Sequence, residues 1–335
     1  MVLFPLLLKV LLALAVAVPV GVAASDDPLK SQRRERRFIT RATPGDWTCV
    51  IPYFNEALFI ERCLSSLAEQ SPSPKIVLVD NGSTDNGRSI AEHFCITLGL
   101  RFVSLTENEP GKVAALAAGL RATETKFVAT CDADTYYPPD YLAHATALLQ
   151  RSSTVAAGAI LISDPQAKYR SLLERGHWRI ASRAAPWQCH AGGTGQVFRT
   201  NALREVGGFD PRLWNFVLED HEVMGRIGLT GRIAYDSKFW CNPLVRRGRH
   251  DKVGWNLAER ICYHMTTRRA MPAFFHGFLA PRLMQRGQWN IKLRPTETAP
   301  IQQVRSFALT TSRSPPRSAP QSGSLPEPAI STPSA

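Results

Sequence analysis

Between Trp47 and Ser163 the sequence changes period repeatedly, from short β-branched runs to apolar residues three and four apart and back again. The runs WTCVIPYF, KIVLVD, RFVSLT, KFVATCD and TVAAGAILIS are rich in Val, Ile or Phe and bounded by polar or turn residues, which predicts five strands. Between them Ala57/Ile60/Leu64/Leu67, Ile90/Ala91/Phe94/Leu98 and Val113/Leu116/Ala117/Leu120 recur at helical spacing. Strand and helix in alternation imply a mostly parallel α/β sheet with helices on its faces. Such a sheet binds ligands at the carboxyl ends of its strands. Four polar stretches follow the first four strands: PYFNE (52–56), DNGSTDNG (80–87), TENEPGK (106–112) and DAD (132–134). All four are expected on one rim.

The chain has 335 residues, 44% of them hydrophobic, which is ample for one large domain. Its formal charge of +12 is unevenly spread. Residues 1–45 and 245–335 are strongly basic, whereas 46–244 is slightly acidic. A near-neutral domain between basic segments suits a membrane surface better than a groove that tracks phosphates, so nucleic acid is not an expected partner. The seven cysteines are scattered, odd in number and never in C-x-x-C spacing, as expected of reduced, mostly buried thiols in a cytoplasmic domain.

Val2–Ala24 is apolar except for Lys9 and, as a helix, would reach about 34 Å, enough to cross a bilayer. The alternative is a signal peptide ending at Val22-Ala23-Ala24. The basic cluster KSQRRERRFITR follows the run rather than preceding it, which favours an anchor with the following domain on the cytoplasmic side. The expected organisation is an anchor (1–24), a basic linker (25–45), an α/β domain (46–244), a basic amphipathic helical extension (245–293) and a Pro/Ser-rich disordered tail (294–335). In the extension, Leu257, Ile261 and Met265 share one helical face, and Phe274, Phe275, Phe278 and Leu279 form an apolar wedge beside Arg282 and Arg286. This surface either lies in a membrane interface or packs on the α/β domain.

The blocks CVIPYFNEALFIERCLSSLAEQ, IVLVDNGSTDNG, PGKVAALAAGLRAT, CDADTYYPPDYL, GGTGQVFRTNALREVGGFD and LEDHEVMGRI, in this order over residues 47–240, resemble the family 2 glycosyltransferases of GT-A fold. The resemblance implies an inverting enzyme that moves a sugar from a nucleotide-diphospho-sugar, with UDP favoured, to a hydroxyl acceptor. A hard divalent cation, Mg²⁺ or Mn²⁺, would neutralise the departing diphosphate through carboxylate oxygens. By the same resemblance Asp134 is the metal ligand, assisted by Asp132, which also faces the ribose. Asp80 accepts from a uracil N3, Glu56 faces the ribose, Pro52 and Tyr53 line the base pocket, and Lys112 lies near the phosphates. Asn81 stands where a second aspartate is commoner.

An attacking hydroxyl must lose its proton, and a carboxylate within reach serves as base. The resemblance gives that role to Asp220, with Glu219, His221 and Glu222 as runners-up. Gly193, Thr194 and Glu219 would border the acceptor. The Q-x-x-R-W signature and multiple spans of processive members are missing from the sequence, so one sugar per reaction is expected, with a lipid-linked or glycan acceptor at the membrane. His250 is either a further metal ligand or an ordinary loop histidine. Two rivals are a sugar-1-phosphate nucleotidylyltransferase and a non-catalytic nucleotide-sugar-binding protein. The first needs a G-x-G-T/S-R-type loop where this chain has PYFNE.

Overall fold

A computed structural model of the chain describes residues 45–244 and 254–293. The expected anchor, linker and tail, and His250, lie outside these residues. Among the described residues no helix is long and apolar enough to cross a membrane.

The four predicted runs become β1 (Trp47–Tyr53), β2 (Lys75–Asp80), β3 (Arg101–Thr106) and β4 (Phe127–Cys131). They alternate with α1 (Ile60–Ala68), α2 (Gly87–Thr97) and α3 (Lys112–Arg121). The main sheet also holds β6 (Thr154–Gly158), β8 (Gly195–Arg199) and β9 (Arg232–Ala234), in the order β3-β2-β1-β4-β8-β6-β9. β1 is parallel to β2 and β4, and β2 to β3, with Tyr53 opposite Asp80 and Asp80 opposite Thr106. The polar segments after these strands therefore share one rim. β8 runs antiparallel to both β4 and β6, so its amino end reaches the rim that β4 enters by its carboxyl end.

The fifth predicted run is divided. The Ala159 N–H donates to Gly195 O at 2.8 Å, but the next amide, of Ile160, donates to Phe239 O at 2.9 Å. The chain thus leaves β8 and joins a second sheet as β7 (Ile160–Leu161), beside β10 (Trp240–Pro243), whose other neighbour is β5 (Thr135–Tyr136).

Side chains of alternate strand residues separate two cores. Trp47, Cys49, Ile51 and Tyr53 pack with α1, α2 and α4 (Tyr141–Leu149). Val50, Val77, Val79 and Val128 pack with α3, α6 (Thr200–Glu205) and α7 (Glu219–Ile227). The AALAAGL stretch lets α3 lie close on β1: a Cβ on Gly119 would stand 2.2 Å from Val50 Cγ1. All seven cysteines are free, and only Cys262 is exposed.

The extension folds as α8 (Leu257–Met265), a wide π-type turn (Ala273–Leu279) and α9 (Ala280–Gln285). Its wedge packs inward. Phe274, Phe275, Leu279 and Leu283 are buried with Trp214, Phe216 and Tyr263 in a third core. Each such side chain contributes about 1.5–3 kcal/mol on burial, which decides between the two alternatives for this part of the surface. Leu257, Ile261 and Met265, in contrast, are exposed.

Candidate active site

The antiparallel register places Cys131 opposite Gly195, so the residues just past β4 meet those just before β8. Thr194 Oγ1 donates to Asp132 Oδ2 at 2.8 Å. The Asp132 N–H donates to the Tyr137 hydroxyl at 2.9 Å, and that hydroxyl donates to Thr194 O at 2.8 Å. Thr194, expected at the acceptor, therefore also orients the first aspartate of DAD. Tyr137 had no signal beyond its place in YYPP.

Lys112 reaches the same point from the start of α3. Its Nζ lies 2.7 Å from Asp132 Oδ1 and 3.9 Å from Glu219 Oε1. Burial alone would discharge this ammonium. Asp132 and Glu219 outweigh that penalty and hold its pKa above the usual lysine value, so it remains a cation.

Glu219 and Asp220 open α7. The residue before them, Leu218, is left-handed, with φ 68° and ψ 28°. A branched residue there costs on the order of 1–3 kcal/mol, and the turn it makes presents both acids at the helix start. Burial is the main cause that pushes the Glu219 carboxyl up, to about 7, with Lys112 pulling down and Asp220 adding to the rise. Asp220 moves the other way. Burial raises it, but His221 and then Lys112 outweigh the burial and keep it below the ordinary carboxylate value.

One oxygen of Asp220 is committed to His221. Oδ1 accepts from the His221 backbone N–H at 2.8 Å and lies 2.8 Å from His221 Nδ1. The imidazole stands edge-on to Trp255 and Tyr263, at 4.8 and 5.7 Å between centroids, so the extension helps to fix it. Gln196 Nε2 donates to the Asp220 carbonyl at 3.0 Å. The other oxygen, Oδ2, faces the glycine loop: a Cβ on Gly193 would be 3.7 Å from it and 3.3 Å from both Asp220 Cβ and Lys112 Nζ. Only a residue without a side chain leaves this approach open. Glu222 is otherwise engaged. Arg226 clamps both its oxygens at 2.8 and 2.7 Å and His276 Nε2 lies 3.2 Å away, so it is a structural anchor rather than a free base.

The structure thus brings Lys112, Asp132, Gly193, Thr194, Glu219 and Asp220 together. Pro52 and Tyr53 end β1, Asp80 ends β2 opposite Tyr53, and Glu56 lies in the loop after β1. Asp80 is buried, and its Oδ1 accepts from the Ser83 N–H at 2.9 Å. Glu56 is half-buried at the foot of α1. Pro52 and Tyr53 point to opposite faces of the sheet. Tyr53 is only 3% exposed within the first core, and its hydroxyl has no hydrogen-bond partner among the described residues. The two side chains therefore do not line one surface together.

Asn81 has a clear structural task. Its Nδ2 donates to Glu107 O and Glu109 O at 2.9 and 2.7 Å, and its Oδ1 accepts from the Gly111 N–H at 2.8 Å. It joins the second loop to the third and so to Lys112, which an aspartate, lacking donors, could not do. Asn55 similarly ties the first loop to the second, through Thr84 N–H at 2.8 Å.

Asp132 and Asp134 are both half-exposed, two residues apart in one turn. No group of three or more His, Cys, Asp or Glu that could hold a metal occurs among the described residues. Two carboxylates fit a Mg²⁺-like ion, which commonly takes one or two from the protein and fills its other positions with phosphate oxygens and water.

A parallel sheet extended by an antiparallel strand, with acids from three segments on its carboxyl rim, defines a GT-A-type domain. Residues 48–207, just under half of the chain, match the family described as Glycosyl transferase family 2, so this segment is similar to that family of glycosyltransferases. The uncharacterized glycosyltransferase YaiP of Escherichia coli (strain K12) is 32% identical over 111 residues, 32% of this chain and 28% of the relative. The poly-beta-1,6-N-acetyl-D-glucosamine synthase of Staphylococcus epidermidis is 26% identical over 204 residues, 57% of this chain and 48% of that one. The chain thus spans half or less of the length of these curated relatives. Among solved structures, the mannosyltransferase PcManGT from Pyrobaculum calidifontis, in complex with GDP-Man and Mn2+, superposes with a TM-score of 0.55 at 23% identity, over 77% of this chain and 79% of its own. That likeness establishes the fold.

Proposed function

We propose that the chain is an inverting, metal-dependent glycosyltransferase that moves one sugar from a nucleotide-diphospho-sugar to a hydroxyl on a lipid-linked or cell-envelope glycan acceptor. UDP is the favoured nucleotide, because of Asp80. The observation that carries the reading is the convergence of Asp132, Glu219 and Asp220 on Lys112, with Gly193 leaving one Asp220 oxygen open.

Asp220 Oδ2 takes the proton of the acceptor hydroxyl as that oxygen attacks the anomeric carbon. His221 holds the carboxylate ionised and oriented, and Gly193 admits the acceptor. Lys112 offsets negative charge on the donor side, where the leaving diphosphate oxygens gain charge. Asp134 and Asp132 would hold Mg²⁺ or Mn²⁺, which supplies Lewis-acid neutralisation of the diphosphate. The acceptor oxygen forms its bond to the anomeric carbon on the face opposite the diphosphate, whose bond to that carbon breaks in the same displacement, so the centre is inverted. Val2–Ala24 and the basic segment behind it support a site at the cytoplasmic membrane face.

The decisive experiment is a donor panel of UDP- and GDP-sugars, scored for release of the nucleoside diphosphate with Mn²⁺ and with chelator. Release from at least one sugar nucleotide, abolished by chelator, is expected. No release from any donor, with binding retained, would leave a nucleotide-sugar-binding protein instead.

A further inference from the structure

Helix α5 (Lys168–Ala184) carries an apolar stripe on its outside. Tyr169, Leu172, Leu173 and Ile180 follow helical spacing along one face and are 52% to 87% exposed. On the same face Gly176 opens onto empty space. The opposite face is the one that anchors the helix. Glu174 bonds the backbone N–H and hydroxyl of Ser163, Arg175 stacks 5.5 Å over Trp240, and Trp178 lies 6.0 Å from His190. The outward apolar stripe is therefore not a misplaced core: the helix already has a packed side.

A second helix shows the same arrangement. In α8, Glu259 and Tyr263 are buried, whereas Leu257, Ile261 and Met265 are 42% to 72% exposed. Trp187 Nε1 donates to Thr266 O at 3.1 Å and Gln188 Nε2 to Tyr263 O at 2.9 Å. These bonds hold the segment just after α5 against the carboxyl end of α8, so the two helices are tied together at these ends. Arg179, Arg183 and Arg260 are exposed on these helices, and their acids, Glu174 and Glu259, face inward.

We propose that the outward faces of α5 and α8 form one docking surface for an anionic lipid bilayer. Apolar side chains beside arginines, with no outward acid, are complementary to acyl chains below phosphate headgroups. A second copy of the chain would set these arginines against their own equivalents. The apolar run Val2–Ala24 belongs to the same chain, and membrane insertion of that run would hold the domain near such a surface. Eight residues after α5 the chain enters Gly192–Thr194, beside Asp220, so docking would turn the acceptor side of the site toward the bilayer. The purpose of the surface rests on the glycosyltransferase reading, but its binding does not.

The test uses the full-length chain on vesicles of equal parts phosphatidylcholine and phosphatidylglycerol. A polarity-sensitive fluorophore is placed on Cys262, which is naturally exposed on α8, or on Leu173→Cys in a Cys262→Ser background. Both probes are expected to brighten on the vesicles and to be quenched by spin-labelled lipid at shallow depth. Arg179→Glu with Arg183→Glu should reduce the quenched fraction severalfold, with donor hydrolysis in detergent unchanged. Probes that stay unquenched while the chain is vesicle-bound would overturn the proposal, since attachment would then run through other residues. So would brightening that rises with protein concentration in the absence of lipid, which would mark a contact between copies. Donor hydrolysis that fails with intact quenching would sink the enzyme reading and leave the docking surface standing.

Discussion

The Lys112 ammonium stands 2.7 Å from Asp132 Oδ1 and closes the gap between the DAD turn and the start of α7. It is the one cation that touches both Asp132 and Glu219 among the described residues. Lys112→Ala would leave these acids and Asp220 facing each other uncompensated. The expected result is a loss of about ten- to a hundredfold in kcat/KM, or roughly 1.4–2.7 kcal/mol. Unchanged steady-state kinetics would reduce the lysine to a structural contact.

Asp134→Asn keeps the shape of the side chain and removes its charge. Half-exposed as it is, the residue contributes little to packing, so the thermal midpoint should move by no more than a few degrees. Mn²⁺ affinity in the presence of UDP, read by paramagnetic resonance, should fall about ten- to a hundredfold, and turnover with it. Wild-type turnover in chelator, for either protein, would remove the metal from the reaction.

Asp220→Asn should lower kcat by about a hundredfold or more, the usual scale for a lost general base, with donor KM and fold retained. His221→Ala is the informative partner. It frees Asp220 Oδ1 from its imidazole contact while leaving the backbone bond, so kcat should drop by less, and His221→Asn should restore part of it through its amide donor. If Asp220→Asn turns over at the wild-type rate, the base lies elsewhere, with Glu219 the next residue to test.

Much of this site was legible because four β-runs end abruptly in acid-bearing loops, and the parallel register then requires those ends to align. The link between Asp132 and Thr194 was not. They are sixty-two positions apart, and only the reversed direction of β8 brings them within 2.8 Å. The inward turn of Phe274 and Phe275 was undecidable for a related reason. An apolar face has the same periodicity whether it meets lipid or protein, and the partners here, Trp214 and Phe216, come from a loop with no period of its own. Tyr53 shows a rule passed over: alternate strand residues face opposite sides, so it could not share a surface with Pro52.

Glu219 makes the stability of the fold depend on pH in a direction opposite to that of an ordinary ion-paired acid. Its carboxyl is raised from 4.5 to about 7, chiefly by burial, so between those values the native chain keeps a proton that the unfolded chain has released. Stability from the neutral form is fully present below pH 4.5 and is lost as pH rises through 7, after which the deficit is constant. The whole effect is roughly 3 kcal/mol at most. Glu219→Gln is neutral throughout and has no such slope. Urea unfolding should therefore find the two proteins nearly equal at pH 4.5 and the variant more stable at pH 8. Parallel curves over that interval would mean that Glu219 is ionised in the native state, and that Lys112 compensates its burial in full.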